Sequence, residues 1–280
     1  MIIGIIGLGL IGGSLAKSIK TKTFHTVLAN DIDSKTMEAA ENCGAFDEIL
    51  TSENISKCNL LFLATSPTKA VEWIKNHACE ISNNTIVVDL CGIKRAVCDE
   101  FFPLAHEHDF IFVGGHPMAG LERGGFVNSR ADLFDGASMI LTPELEKELY
   151  IEILEKLKVF FLEIGFASIT LSTPEEHDKI IAYTSQLAHI VSSAYIRSPE
   201  ALKRRGFSAG SFRDMTRVAS MDENLWTELF LYNRDFLIEQ LEIIMKNINE
   251  YLDALKENDS AKLEQLIKEG REIKTQAMGK

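Results

Sequence analysis

Residues able to move protons or hold anions are spread widely through this 280-residue chain. His116 lies in Phe112-Val113-Gly114-Gly115-His116-Pro117-Met118-Ala119-Gly120, directly after an apolar run that reads as a strand. The carboxyl ends of strands are where an open α/β sheet presents its reactive groups. Imidazole titrates near neutrality, so a neutral ring can take a proton from a substrate hydroxyl. A plain histidine of a Gly/Pro-rich turn fits the same residues. Arg204, Arg205, Arg213 and Arg217 cluster further on. A guanidinium fork suits a carboxylate, although ordinary surface pairing suits Arg217 equally well. His189 falls on an apolar helix face, where a satisfied core histidine is the bland alternative.

At the other end of the chain, an apolar run Ile2–Ile6 meets Gly7-x-Gly9-x-x-Gly12 and then an apolar-periodic segment from Leu15. A buried strand, a glycine turn and a helix form the cradle that a dinucleotide pyrophosphate requires. Gly7 permits the tight turn, Gly9 the close approach of phosphate, and Gly12 the packing of helix on strand. The helix N-terminus offers unpaired N–H groups to the anion. A second strand ends in Asn30-Asp31-Ile32-Asp33, and Asp31 is placed to meet the ribose hydroxyls, with Asp33 as a substitute. A carboxylate there repels a 2′-phosphate, which favours NAD over NADP.

These groups need scaffolding, and the pattern of the chain supplies it. Strand-like runs at Ile2–Ile6, Thr26–Ala29, Leu60–Ala64, Thr85–Asp89, Phe110–Gly114, Ser138–Leu141 and Ala167–Leu171 alternate with helical patterns. The helical segments fall near Ser14–Lys20, Ser34–Cys43, Pro67–His77, Arg95–His106 and Glu144–Ile164, with Thr142-Pro143 reading as the start of the last. The alternation predicts a doubly wound, Rossmann-like α/β domain over residues 1–171. No strand pattern follows Ser172. Thr173-Pro174-Glu175-Glu176 is a capping box that opens a helix. Apolar residues from Trp226 to Leu255 recur every three or four positions and predict one helix from about Asp222 to about Lys256, about 50 Å long. Residues 172–280 therefore read as an all-α domain whose apolar stripe calls for a second copy of the chain, or for burial within one copy.

Composition narrows the classes. A net charge of −12 argues against a nucleic-acid surface. Strand-sized apolar stretches, a mean hydropathy near zero and no basic n-region argue against a membrane span or a signal peptide. Five cysteines without a C-x-x-C pair suggest reduced thiols and a cytoplasmic setting. No spaced His/Cys/carboxylate set suggests a metal.

Together, four segments resemble the prephenate dehydrogenase family. They are His116-Pro117-Met118-Ala119-Gly120, Ser185-Gln186-Leu187-Ala188-His189, Phe212-Arg213-Asp214-Met215-Thr216-Arg217-Val218-Ala219, and Asp222-x-x-x-Trp226 with the helix after it. With the glycine fingerprint, the resemblance covers nearly the whole chain. It implies NAD-dependent oxidative decarboxylation of prephenate to 4-hydroxyphenylpyruvate, in a homodimer formed through the C-terminal helices. It further implies His116 as the catalytic group, Arg217, His189, Ser185 and Glu122 at the substrate, and Gly7, Gly9, Leu10, Ile11, Gly12, Asp31, Ser66 and Lys94 at the cofactor. Arogenate dehydrogenase, a β-hydroxyacid dehydrogenase using Lys179, and a non-catalytic NAD-binding regulatory protein are the competing readings. The chain departs from the family at one point. Where members often carry D-x-G-S-x-K, this chain has Asp89-Leu90-Cys91-Gly92-Ile93-Lys94, so Gly92 stands in place of a serine that bonds the catalytic histidine. A water or the Cys91 thiol is expected to take over that contact.

Overall fold

Leu60-Leu61-Phe62-Leu63 shows how the core is built. Leu60 and Phe62 face one apolar layer, Leu61 and Leu63 the other, and all four are buried. Such uninterrupted apolar runs mark strands of a parallel sheet covered on both faces. The computed structural model describes residues 1–144 and 149–279. Its sheet contains β1 (Ile2–Ile6), β2 (Thr26–Asn30), β3 (Glu48–Ile49), β4 (Leu60–Leu63), β5 (Ile86–Asp89), β6 (Ile111–Pro117), β7 (Ser138–Thr142) and β8 (Ser168–Leu171). Their spatial order is β3-β2-β1-β4-β5-β6-β7-β8. Only the β6–β7 pairing is antiparallel, so β7 and β8 run against the other six strands. One face is covered by α1 (Leu10–Lys22) and α5 (Leu149–Glu163), the other by α3 (Pro67–His77) and α4 (Arg95–Glu107). The order reverses between β1 and β4, which opens the crevice where such sheets bind ligands.

Among the described residues, only helices follow Leu171. They are α6 (Pro174–Ile181), a π-helical turn Ala182–Leu187, α7 (Ala188–Ile196), α8 (Gly210–Thr216), α9 (Glu223–Tyr232), α10 (Arg234–Lys256) and α11 (Ser260–Ala277). The Thr173 hydroxyl accepts from the Glu176 N–H at 3.1 Å, with Pro174 in the first turn, and the Glu176 carboxylate accepts from the Ser172 hydroxyl at 3.2 Å. Met1–Asn233 forms one compact unit, and a second begins at Arg234. In the second, α10 and α11 pack on one another, with Ala254 and Leu266 buried. The architecture is thus a Rossmann-like α/β layer followed by a helical C-terminal region.

Three sequence expectations need correction. Thr142 does not cap a helix: it ends β7, paired with Gly114, and the residues that lead into α5 lie outside the described residues. The continuous helix from Asp222 to Lys256 is broken at Asn233, whose φ and ψ are −114° and 24°. Its side chain is fully buried, donating to the Asp178 carbonyl at 2.8 Å and Gln186 Oε1 at 2.9 Å, and accepting from Arg95 Nη2 at 3.0 Å. Those bonds hold the backbone out of the helical register. The longer piece, α10, has 23 residues. Finally, His116 lies within β6, opposite Ile140, rather than in a turn after the strand.

Candidate active site

The glycine turn after β1 is shaped by contact. Gly7 has φ +87°, a region that L side chains rarely enter, and a Cβ there would meet the Ala64 carbonyl oxygen at 2.7 Å. A Cβ on Gly12 would overlap the Gly7 carbonyl oxygen, whereas one on Gly9 would meet nothing within 4 Å. Gly9 caps α1 without a side-chain bond, and the first turn of the helix carries no acidic residue. Open space thus faces uncapped N–H groups at Gly9, as a pyrophosphate would need. Asp31, at the end of β2, accepts from Leu8 N at 2.6 Å and Asp33 N at 2.9 Å. Asp33 itself caps α2 (Ser34–Asn42) by accepting from the N–H groups of Lys35 and Thr36. Ser66 caps α3 beyond β4, across the crevice, with its hydroxyl unused in capping. The residues present therefore fit a dinucleotide.

The catalytic-histidine candidate sits further along the same strand ends. Its Nδ1 lies 2.8 Å from Nε2 of His177, on α6. Nδ1 of His177 lies 2.7 Å from Oδ1 of Asp178. Asp178 also accepts from the N–H groups of Lys94 at 2.7 Å and Arg95 at 2.9 Å, and from Arg95 Nε at 3.3 Å. Beneath this row the fully buried Lys94 ammonium is ion-paired with the buried Asp89 carboxylate. Asp89 also accepts from Cys91 N at 3.0 Å and Gly115 N at 3.2 Å, tying β5 to β6 under the imidazole.

Burial, then the neighbouring His177 and the Lys94 cation, push the His116 pKa well below 6.5. Burial likewise lowers His177, with Asp178 partly opposing it. Burial alone would raise Asp178, but hydrogen bonding from His177 and from the Lys94 and Arg95 backbone holds its carboxyl below 3.8. The row therefore rests with two neutral rings on one carboxylate.

A second group assembles around α7 and α9. The π-helical turn inserts an extra residue before His189, a device frequent at functional sites. His189 Nδ1 lies 2.9 Å from the Ser185 carbonyl oxygen, so it is this backbone group that meets the ring. The imidazole packs against Trp226 with centroids 3.8 Å apart and the rings tilted by 31°. Burial lowers the His189 pKa despite that bond, and the Arg217 cation lowers it further, which places Arg217 within electrostatic reach. Arg217 is exposed and makes no ion pair among the described residues. α9 joins the two groups. Trp226 meets His189, and one turn later Leu229 packs against Gly92, where a Cβ would lie 3.7 Å from Leu229 and 3.9 Å from His116 Nε2. Glu122 lies on an exposed stretch after β6.

Sequence reasoning missed His177, Asp178, Leu229 and Asn233. The one local signal was a His-Asp dipeptide directly behind the capping box. The Cys91 thiol, a candidate for the missing serine contact, points elsewhere and donates towards the Thr65 carbonyl at 3.6 Å. Among the described residues no group of His, Cys, Asp and Glu could hold a metal ion, and no helix is long and apolar enough to cross a membrane.

A glycine-cradled crevice in a Rossmann-like sheet, continued by a neutral, half-buried imidazole, describes a dehydrogenase working with a dinucleotide. Comparison with known proteins narrows the class. The family profile for the prephenate dehydrogenase nucleotide-binding domain matches residues 15–170, and the profile for its dimerization domain matches 173–269. A prephenate dehydrogenase of Lactococcus lactis is 28% identical over 98% of this chain and 76% of its own. The crystal structure of the A. aeolicus prephenate dehydrogenase with hydroxyphenyl propionate and NAD+ is 26% identical, covers 100% of this chain and 98% of its own, and superposes with a TM-score of 0.84. Synechocystis arogenate dehydrogenase is also 26% identical, covering 99% of this chain and 100% of its own, with a TM-score of 0.78. The chain belongs to the prephenate dehydrogenase family and is an oxidoreductase.

Proposed function

We propose that this protein oxidatively decarboxylates prephenate to 4-hydroxyphenylpyruvate and CO2, reducing NAD, on the cytoplasmic route to tyrosine. The observation that carries the reading is the neutral, half-buried His116 at the strand-end edge, its Nε2 edge beside Gly92 and its Nδ1 held by His177. Residues 1–171 bind the dinucleotide through Gly7, Gly9, Leu10, Ile11, Gly12, Asp31 and Ser66. Lys94, spent on Asp89, braces the floor at the nicotinamide end. A dinucleotide held in the glycine cradle would supply the hydride acceptor for the ring carbon that bears the hydroxyl. His116 takes the proton of that hydroxyl and hands it back to the same oxygen as loss of the ring carboxylate completes the aromatic ring. Aromatisation supplies the driving force, so the chain mainly positions and polarises. Arg217 holds a carboxylate, with His189, Ser185 and Glu122 along the substrate pocket. Within the helical region 172–280, the residues up to Asn233 complete that pocket, and two copies pair through the apolar residues that α10 exposes, including Ile248, Leu252 and Leu255.

Arogenate is the second substrate reading, because the A. aeolicus prephenate dehydrogenase and the Synechocystis arogenate dehydrogenase are both 26% identical to this chain. NADH formation with each substrate, using NAD and NADP in parallel, decides. Turnover of prephenate with NAD is expected. Turnover of arogenate alone would replace the substrate, and turnover of neither would end the reading.

A further inference from the structure

The row His116–His177–Asp178 carries an inference about protons. Asp178 is an ionised acceptor: it collects two backbone N–H groups and the Arg95 guanidinium, none of which can accept in return. The ring nitrogen facing it, His177 Nδ1, must therefore carry a proton. In a neutral His177 the other nitrogen, Nε2, is then a lone pair. That lone pair meets His116 Nδ1 at 2.8 Å, so His116 must hold its own proton on Nδ1. The consequence falls on the far side of the ring: His116 Nε2 is left as a bare acceptor. Free imidazole side chains prefer the opposite arrangement, and only a fixed partner at Nδ1 settles the matter.

We propose that His177 is the positioning residue of this enzyme, setting His116 in the Nδ1–H tautomer so that Nε2 accepts the substrate proton, with Asp178 as its anchor. The proposal rests on the functional reading above and deepens it. When Nε2 takes one proton from the substrate hydroxyl, His116 becomes an imidazolium that still donates through Nδ1 to His177. Moving that second proton across the 2.8 Å gap would leave His116 neutral and His177 charged against the Asp178 carboxylate. In either arrangement one proton has been gained and its charge lies within the row. The residue at position 92 acts on the other nitrogen, since its Cβ would lie 3.9 Å from Nε2. A serine there would address the reacting edge of the ring, and its absence leaves the Nδ1 anchor intact.

The test uses the full-length protein. In enzyme labelled with 15N-histidine, with signals assigned through His116→Asn, His116 is expected to show a protonated Nδ1 and a lone-pair Nε2; the reverse assignment overturns the proposal. This readout needs no substrate, so it remains decisive even if neither prephenate nor arogenate turns over. Two variants then separate positioning from packing. His177→Leu removes the acceptor and is expected to lower kcat at least tenfold, with KM and NAD affinity little changed. His177→Gln places an amide oxygen near the old Nε2 position and is expected to restore most of the loss. Equal kcat in the two variants, or wild-type kcat in His177→Leu, would overturn the role. If His177→Leu does not fold, His177→Gln and the nitrogen spectra of the wild type still decide.

Discussion

Asparagine is the informative replacement at position 116. Its amide nitrogen falls near the former Nδ1 and can still donate to His177 Nε2, while nothing remains at Nε2 to take a proton. His116→Asn should therefore fold normally and bind NAD as before, with kcat down by about 10²–10⁴-fold, the range a positioned general base contributes. A fall in NAD affinity of similar size would show that the ring belongs to the cofactor site instead. Arg217 answers differently. It is exposed and carries no internal partner among the described residues, so its truncation costs the fold little. Losing a carboxylate clamp should raise KM roughly 10- to 100-fold while kcat changes less. A KM that does not move would remove Arg217 from the substrate pocket.

The glycine turn allows a comparison between two alanine substitutions three residues apart. A methyl at Gly12 collides with backbone, the Gly7 carbonyl, which cannot move without pulling β1 away from α1. A methyl at Gly9 touches no protein atom within 4 Å and occupies only the space a pyrophosphate would enter. Gly12→Ala should lower Tm, whereas Gly9→Ala should leave Tm unchanged and weaken NAD binding as measured by calorimetry. Equal NAD affinity in Gly9→Ala and wild type would place the pyrophosphate elsewhere. This turn was legible in the sequence because its constraints act between near neighbours: strand, glycines and helix lie within about twenty residues. The capping box at Thr173 was legible for the same reason. The row at His116 was not, since its partners stand 61 residues apart and meet only when α6 lies against the end of β6. The break at Asn233 was hidden likewise. Periodicity from Trp226 to Leu255 runs straight through it, while the Asn233 side chain at the break bonds to Arg95, Asp178 and Gln186, all distant in sequence.

Acid should weaken the folded chain sooner than its carboxylates alone would dictate. His116, His177 and His189 all have pKa values held below 6.5 in the fold, burial being the first cause in each. An unfolded chain protonates these rings near pH 6.5, while the folded chain resists until lower pH. Between those limits the unfolded state binds more protons, so stability rises with pH and is lost as pH falls. Each ring that stays neutral contributes a slope of up to about 1.4 kcal/mol per pH unit across its window. Asp33, Asp47, Asp132 and Asp178, all held below 3.8, add losses of the same sign at still lower pH. One term opposes them. The net charge of −12 shrinks toward the isoelectric point near 5.1, which relieves self-repulsion. That relief is spread over exposed, screened charges, whereas the histidine terms come from a buried His177 and the half-buried His116 and His189, so the histidines should win above pH 5.5. Tm is therefore expected to be level above about pH 6.5 and to decline from there to pH 5.5. In His177→Gln, which removes one of the three rings, the decline should be shallower whatever the absolute Tm. A Tm that holds steady or climbs over that interval would mean that these imidazoles are charged in the fold, and a charged His116 could not serve as a base.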